Sequence, residues 1–241
     1  MTGIQRAGNP APATIVIALQ PTVRVLLVCM SLLIMAGLAG TVSTWFLGDY
    51  TFLRFLRKFD VDMENSVPTW FSTICLFLCA IALAAIALTE WRGKGPLRLY
   101  WFGLTGTFVL LSLEEAASFH ETLSAPLRNV LHTGSFLHFA WVIPGGFFVA
   151  GFLWVFWGFL RQIPAETRRG FLIAGFVYCS GSLGVEMING RYLSLHGEDF
   201  NYSLMCVLEE SLEMAGVILF LRSLLSYLAD HVGSLTVGIH R

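Results

Sequence analysis

Charged residues are scarce in this chain of 241 residues. Asp, Glu, Lys and Arg make up 13% of the sequence, whereas hydrophobic residues make up 56%. A soluble domain carries about 25% charged residues, so this chain lacks the water-facing surface of a soluble enzyme, a disordered protein or a nucleic-acid-binding protein. Its mean hydropathy of +0.69 instead predicts a protein embedded in a lipid bilayer.

The sequence also lacks cysteine in polar loops and any glycine-rich nucleotide-binding motif. The five cysteines all fall within apolar stretches: Cys29, Cys75, Cys79, Cys179 and Cys206. Because none of them lies in an external loop where oxidation would form a disulfide, we interpret them as small core residues.

Six apolar stretches are long enough to cross the hydrocarbon core, which requires about 20 residues. They cover residues 25–47, 68–90, 98–123, 137–160, 170–190 and 203–226. We therefore predict an all-α, polytopic membrane bundle of six transmembrane helices over residues 25–228. The first stretch is predicted to be retained rather than cleaved, because 23 residues exceed the apolar core of a signal peptide.

The placement of Lys and Arg predicts the orientation. With the amino terminus in the cytoplasm, ten of the 15 Lys and Arg residues lie on the cytoplasmic side. Basic loops resist translocation, so both termini are predicted to be cytoplasmic: a poorly ordered tail over residues 1–24 and a second tail over 229–241. Residues 48–67, which mix Phe and Leu with Arg and Lys, are predicted to form an amphipathic segment on the outer surface.

Seven acidic residues interrupt the apolar stretches without a Lys or Arg near them in the same spans. They are Glu114, Glu115, Glu121, Glu186, Glu209, Glu210 and Glu213. A charge near the bilayer centre costs about 2.5–3.5 kcal/mol even on the most permissive scale. These side chains are therefore expected to face the interior of the bundle and to be neutralised by protons, water or metal ions.

The acidic residues of three spans are predicted to share one layer. Counted from the predicted inner span ends at 98, 170 and 226, Glu114, Glu186 and Glu210 are each 16 residues away. At 1.5 Å per residue this distance is about 24 Å, which lies in the outer leaflet. His120 and His138 lie just above that layer. On a regular helix His120 points away from Glu114, so it joins the site only if the helix end unwinds.

Carboxylates with a few histidines from several helices form the ligand set of dinuclear carboxylate-bridged metal sites. Such ions activate oxygen or generate hydroxide for hydrolysis. The predicted ligands are Glu114, Glu121, Glu186, Glu209 and Glu213, with Glu115, His120, His138 and Glu210 as further ligands or supporting groups. The expected cofactor is one or two divalent ions of iron, manganese or zinc. The usual Glu-x-x-His pair of these sites is absent.

Three alternatives stay open beside a metal site. The carboxylates could carry protons or a cation in a transporter, although acids confined to the outer halves of the spans do not form a route across the membrane. Protonated Glu residues could instead fix helix packing in an accessory subunit of a larger complex or in a homo-oligomer. A haem held by His120 and His138 is the weakest alternative, because its surroundings would be acidic.

Several motifs resemble a family of uncharacterised bacterial multi-pass membrane proteins. They are Val67-Pro-Thr-Trp-Phe-Ser72, Ser112-Leu-Glu-Glu-Ala-Ala-Ser-Phe-His-Glu121, His138-Phe-Ala-Trp141 and Leu208-Glu-Glu-Ser-Leu-Glu-Met-Ala-Gly216. Where that family often has Asp-Glu, this chain has Glu114-Glu115. The resemblance implies a bacterial inner-membrane protein with one shared site, and the predicted depth and orientation of the acidic layer make that site face the periplasmic leaflet. Together with the metal hypothesis, it leads us to expect oxidoreduction or hydrolysis of a lipid-soluble or periplasmic substrate.

Overall fold

The computed structural model describes residues 19–46, 55, 57–63 and 65–232, which form helices joined by short connections with no strand among them. The helices are α1 (Leu19–Phe46), α2 (Val67–Arg92), α3 (Arg98–Ala117), α4 (Phe119–Leu131), α5 (Val142–Gln162), α6 (Ala165–Cys179), α7 (Glu186–His196) and α8 (Phe200–His231). The predicted all-α class is confirmed. Residues 1–18, 47–54, 56, 64 and 233–241 lie outside the described residues, and with them much of the predicted amphipathic segment over 48–67.

Four helical stretches in the described part of the chain are long and apolar enough to cross a membrane. They are Leu19–Phe46, Val67–Arg92, Val142–Gln162 and Ala165–His196, the last of which joins α6 and α7. These stretches support a membrane protein. Helices α3 and α8 correspond to the third and sixth predicted spans and differ from the other four in carrying clusters of Glu.

The helices extend beyond several of the predicted limits. Helix α1 begins at Leu19, so residues 19–24 of the predicted tail are helical, and α8 continues to His231 in the predicted second tail. Helix α2 begins where expected, because the Ser66 hydroxyl accepts a hydrogen bond from the Thr69 amide at 3.2 Å and Pro68 lies in the first turn.

The predicted third span, residues 98–123, is not one continuous helix. Helix α3 ends at Ala117, and Ser118 has a φ of 52° and a ψ of 45°, in the left-handed region. The chain then starts the new helix α4 and continues it to Leu131, through residues predicted to be an external loop. The difference arises because hydropathy records burial and does not record the backbone turn at Ser118.

A π-helical turn divides the fifth predicted span. Residues Ser180–Val185 connect α6 to α7, and Glu186 is the first residue of α7. Such turns insert one extra residue into a helical repeat and are frequent at functional sites. The turn therefore sets the direction of the Glu186 side chain, which a regular helix over 170–190 would place differently.

The two ends of the bundle differ in character. At one end the fully buried Trp101 indole packs against Phe159 and Tyr227, with ring centroids 4.9 and 5.0 Å apart. Helix α8 runs through the bundle and contacts α1, α2 and α6. The apolar core occupies one end, and the acidic residues of α3 and α8 lie at the other.

Candidate functional site

All nine predicted site residues line a single cavity of about 380 Å³. They are Glu114, Glu115, His120, Glu121, His138, Glu186, Glu209, Glu210 and Glu213. They come from α3, α4, the turn before α5, the start of α7 and α8. Residues separated by up to 99 positions in the sequence, from Glu114 to Glu213, thus line the same cavity. Whether that space holds a metal ion stays a prediction.

The turn at Ser118 brings His120 back towards Glu114. The His120 Nδ1 atom lies 2.5 Å from Glu114 Oε1, and the His120 amide donates to the same oxygen at 3.1 Å. A regular helix would point these side chains apart. The helix is therefore interrupted between Glu114 and His120, which is the condition under which His120 was expected to join the site.

A second group of contacts crosses three helical segments. Trp141 Nε1, just before α5, donates to Glu186 Oε1 at 2.7 Å. The Glu186 carboxyl lies within hydrogen-bonding distance of the Glu209 carboxyl on α8, and Asn189 Nδ2 on α7 donates to Glu209 Oε2. Two carboxyl groups in contact require a proton or a cation between them, because two bare carboxylates repel each other. We call these four residues the Trp141–Asn189 chain.

Several of the acidic residues lie near Tyr178. This side chain lines the cavity from α6 and lies near Glu213, Glu115 and Glu210. Within the part of the chain that the structure describes, no three His, Cys, Asp or Glu side chains converge at metal-ligand spacing. The predicted ligands therefore share a cavity without forming a preassembled coordination sphere.

A basic residue that the sequence analysis did not assign to the site also lines the cavity. Arg128 of α4 places Nη1 2.7 Å from His138 Nε2 and 3.4 Å from the His138 carbonyl oxygen. Burial, together with the positive charge of Arg128, lowers the pKa of His138, which lies in the turn before α5. A neutral imidazole can accept the Arg128 hydrogen bond at Nε2, so this pair is expected to be stable at neutral pH.

The residue range of the site coincides with a family of proteins. A family model described as a domain of unknown function, DUF8692, matches residues 22–228. The chain belongs to the DUF8692 family. No curated protein and no solved structure matches the chain. Membership in DUF8692 agrees with the expected resemblance to an uncharacterised family, and the chemistry must be argued from the cavity itself.

Three further cavity residues within the DUF8692 region escaped the sequence analysis. Asp62 lies in the connection before α2, and Tyr202 and Cys206 lie one helical turn apart on α8. Asn189 donates a hydrogen bond to Glu209 without lining the cavity itself. It was also missed, although it lies three positions after Glu186. A search for polar residues at i+3 and i+4 from each acidic residue would have found Asn189, since these positions share a helix face.

The left-handed turn at Ser118 gives a test of the site's backbone. Ser118→Gly is expected to raise the free energy of unfolding by about 1 kcal/mol, because glycine adopts this conformation without the steric cost that serine bears. Thermal unfolding in detergent measures the change. Ser194→Gly, at an exposed helical position of α7, is the matched control and should lower stability. If both substitutions raised stability, or both lowered it, the left-handed conformation of Ser118 would not explain the result.

Proposed function

We propose that this DUF8692 chain is a six-helix inner-membrane protein whose cavity binds one or two divalent metal ions. The spans are α1, α2, α3, α5, the α6–α7 pair and α8, with both termini in the cytoplasm, so the cavity opens towards the periplasmic leaflet. The bound ions would serve oxidoreduction or hydrolysis of a lipid-soluble or periplasmic substrate. The observation that carries the proposal is that seven Glu and two His side chains from several helical segments line one cavity of about 380 Å³.

The donor set fits a hard or borderline divalent ion. Carboxylate oxygen and imidazole nitrogen are the ligands that iron, manganese and zinc share. Glu186 and Glu209 already lie in contact, and Glu213 is one turn from Glu209 on the same face of α8. These three residues are the expected first ligands, with an ion taking the place of the proton that two touching carboxyl groups require.

The remaining polar groups would orient those ligands and handle protons. A divalent ion supplies Lewis acidity and lowers the pKa of a bound water. Trp141 and Asn189 donate to Glu186 and Glu209 respectively and hold each carboxyl in one orientation. The His120–Glu114 pair lies in the same cavity and can hold a proton between His120 Nδ1 and Glu114 Oε1.

Metal content of the purified protein tests this proposal. After growth with iron, manganese and zinc, the wild-type chain is expected to carry about one or two ions, and Glu186→Gln and Glu209→Gln to lower that content about tenfold. Inductively coupled plasma mass spectrometry gives the ratio of metal to protein. Glu166→Gln is the matched control, since Glu166 is exposed in the first turn of α6 and outside the cavity. A wild-type protein without stoichiometric metal, or full retention in both cavity variants, would reject the proposal.

The contact between Glu186 and Glu209 also favours a second function, in which the carboxyl groups carry protons in a cation-coupled transporter. A carboxyl pair that shares a proton can release and rebind it as the cavity changes its hydration. Proton flux into liposomes that contain the purified protein distinguishes the two functions. Metal-independent flux that disappears in Glu209→Gln would establish transport in place of metal chemistry.

A further inference from the structure

Helix α4 presents two different edges. One edge lines the cavity with His120, Glu121, Ser124 and Arg128. The other exposes Phe119, Leu123 and Val130, whose exposed fractions range from 50% to 74%. The spacings within each set follow helical periodicity, so the polar and apolar residues form separate stripes along the same helix.

The apolar stripe of α4 is suited to contact with lipid. Helix α4 follows the end of α3 and precedes α5, so it lies at the same end of the bundle as the cavity. Four stretches of this chain are long and apolar enough to cross a membrane, and an amphipathic helix beside such spans lies in the interface with its apolar edge among the acyl chains. The cavity is then separated from the outer leaflet by the width of one helix.

Arg128 is the single Lys or Arg among the described residues that line the cavity. Within those described residues it makes no ion pair with a carboxylate; the salt bridge there joins His120 to Glu114. The Arg128 hydrogen bonds to His138 both use Nη1, so among the described residues the donors on Nη2 and Nε have no protein acceptor. A half-buried guanidinium anchored at one nitrogen, with its other donors free, is suited to bind a phosphate or carboxylate in a bidentate manner.

We propose that the substrate is an amphiphile of the outer leaflet with a phosphate headgroup, which enters past α4 and is bound through that headgroup by Arg128. The acyl chains lie against the apolar stripe formed by Phe119, Leu123 and Val130, and the headgroup reaches the carboxylate cavity between α4 and the turn before α5. Recognition of the lipid needs Arg128 and α4 alone. The reaction at the headgroup rests on the proposed function.

Lipid binding to the purified full chain tests this inference. The protein in neutral detergent is titrated with phosphatidylglycerol, and the lipid-bound fraction is measured by native mass spectrometry. Arg128→Gln is expected to weaken binding at least tenfold, whereas Arg128→Lys retains part of it because the charge remains. The matched control is Arg191→Gln, which removes an exposed arginine that contacts Ser135 and Phe136 and does not line the cavity.

Each outcome decides a separate point. Weakened binding in Arg128→Gln with normal binding in Arg191→Gln supports the inference. Equal affinity of wild type and Arg128→Gln, or equal losses in Arg128→Gln and Arg191→Gln, overturns it. Displacement of the lipid by glycerol phosphate at equal concentration would also overturn it, because the ligand would then be a soluble phosphate. Metal content, measured on the same Arg128→Gln sample, is expected to stay at the wild-type level and so separates failure of this inference from failure of the metal proposal.

Discussion

Gly216→Ala is expected to lower the free energy of unfolding by about 2–3 kcal/mol, within the range for overpacking a close-packed interface. A Cβ atom at Gly216 of α8 would lie 2.7 Å from the Tyr178 nitrogen and 2.8 Å from its Cα atom. Both are backbone atoms of α6, so no side chain can rotate to make room. The two helices would have to separate, since small residues are what allow membrane helices to approach this closely.

The same helix crossing holds the carboxylates, so the loss of stability should reach the site. Gly181 in the π-helical turn makes an equally close approach to α8, because a Cβ atom there would lie 2.7 Å from the Glu209 carbonyl oxygen. Separation of α6 from α8 at Gly216 therefore moves the segment that carries Glu186 away from Glu209. We expect Gly216→Ala to lower metal content together with stability, although Gly216 itself bears no ligand atom.

Thermal unfolding in detergent, followed by circular dichroism, measures the effect of Gly216→Ala. Gly175→Ala is the matched control: Gly175 lies on α6, one turn before the residue that Gly216 contacts, and an added Cβ atom there meets nothing within 4 Å. This control is expected to leave stability unchanged or to raise it, because alanine favours the helix. Equal unfolding temperatures for the two variants would show that the close approach of α6 and α8 does not limit stability.

The convergence of the acidic residues on one cavity was predictable from the sequence because buried charge is costly in lipid. Glu114, Glu186 and Glu210 lie on three different predicted spans at equal depth, and acidic residues without a basic partner in lipid are expected to face one another. The structure places all of them on the same cavity. The helix content was predictable for a related reason, because long apolar stretches satisfy their backbone hydrogen bonds in the bilayer only as helices or closed barrels.

The backbone turns around the site were not predictable in the same way. Hydropathy averages over a window, so it merges α3 with the start of α4 and does not reveal the left-handed Ser118. Hydropathy divides α4, with Phe119, Leu123 and Val130, between the predicted third span and the loop that follows it. Arg128 falls in that loop by sequence, whereas helix α4 brings it to the cavity. The π-helical turn before Glu186 likewise has no signature in periodicity.

Asn189→Leu is expected to lower the free energy of unfolding by about 2 kcal/mol. Asn189 is 1% exposed, and its Nδ2 atom donates to Glu209 Oε2. Leucine fills a similar volume but leaves the Glu209 carboxyl without this donor, and an unsatisfied buried polar group costs about 1–3 kcal/mol. The Trp141–Asn189 chain then loses one end, and the Glu186 and Glu209 carboxyls are free to rotate apart.

A double-mutant cycle with Glu209→Leu identifies the cause of that loss. When the carboxyl is absent, Asn189→Leu removes no hydrogen bond, so the second substitution is expected to cost at least about 1 kcal/mol less than it does alone. Chemical denaturation in detergent measures the four free energies. Asn201→Leu, an exposed asparagine in the first turn of α8, should combine additively with Glu209→Leu. If Asn189→Leu were equally additive, Asn189 would stabilise the protein through packing alone, and the orientation of Glu209 would have to come from Glu186.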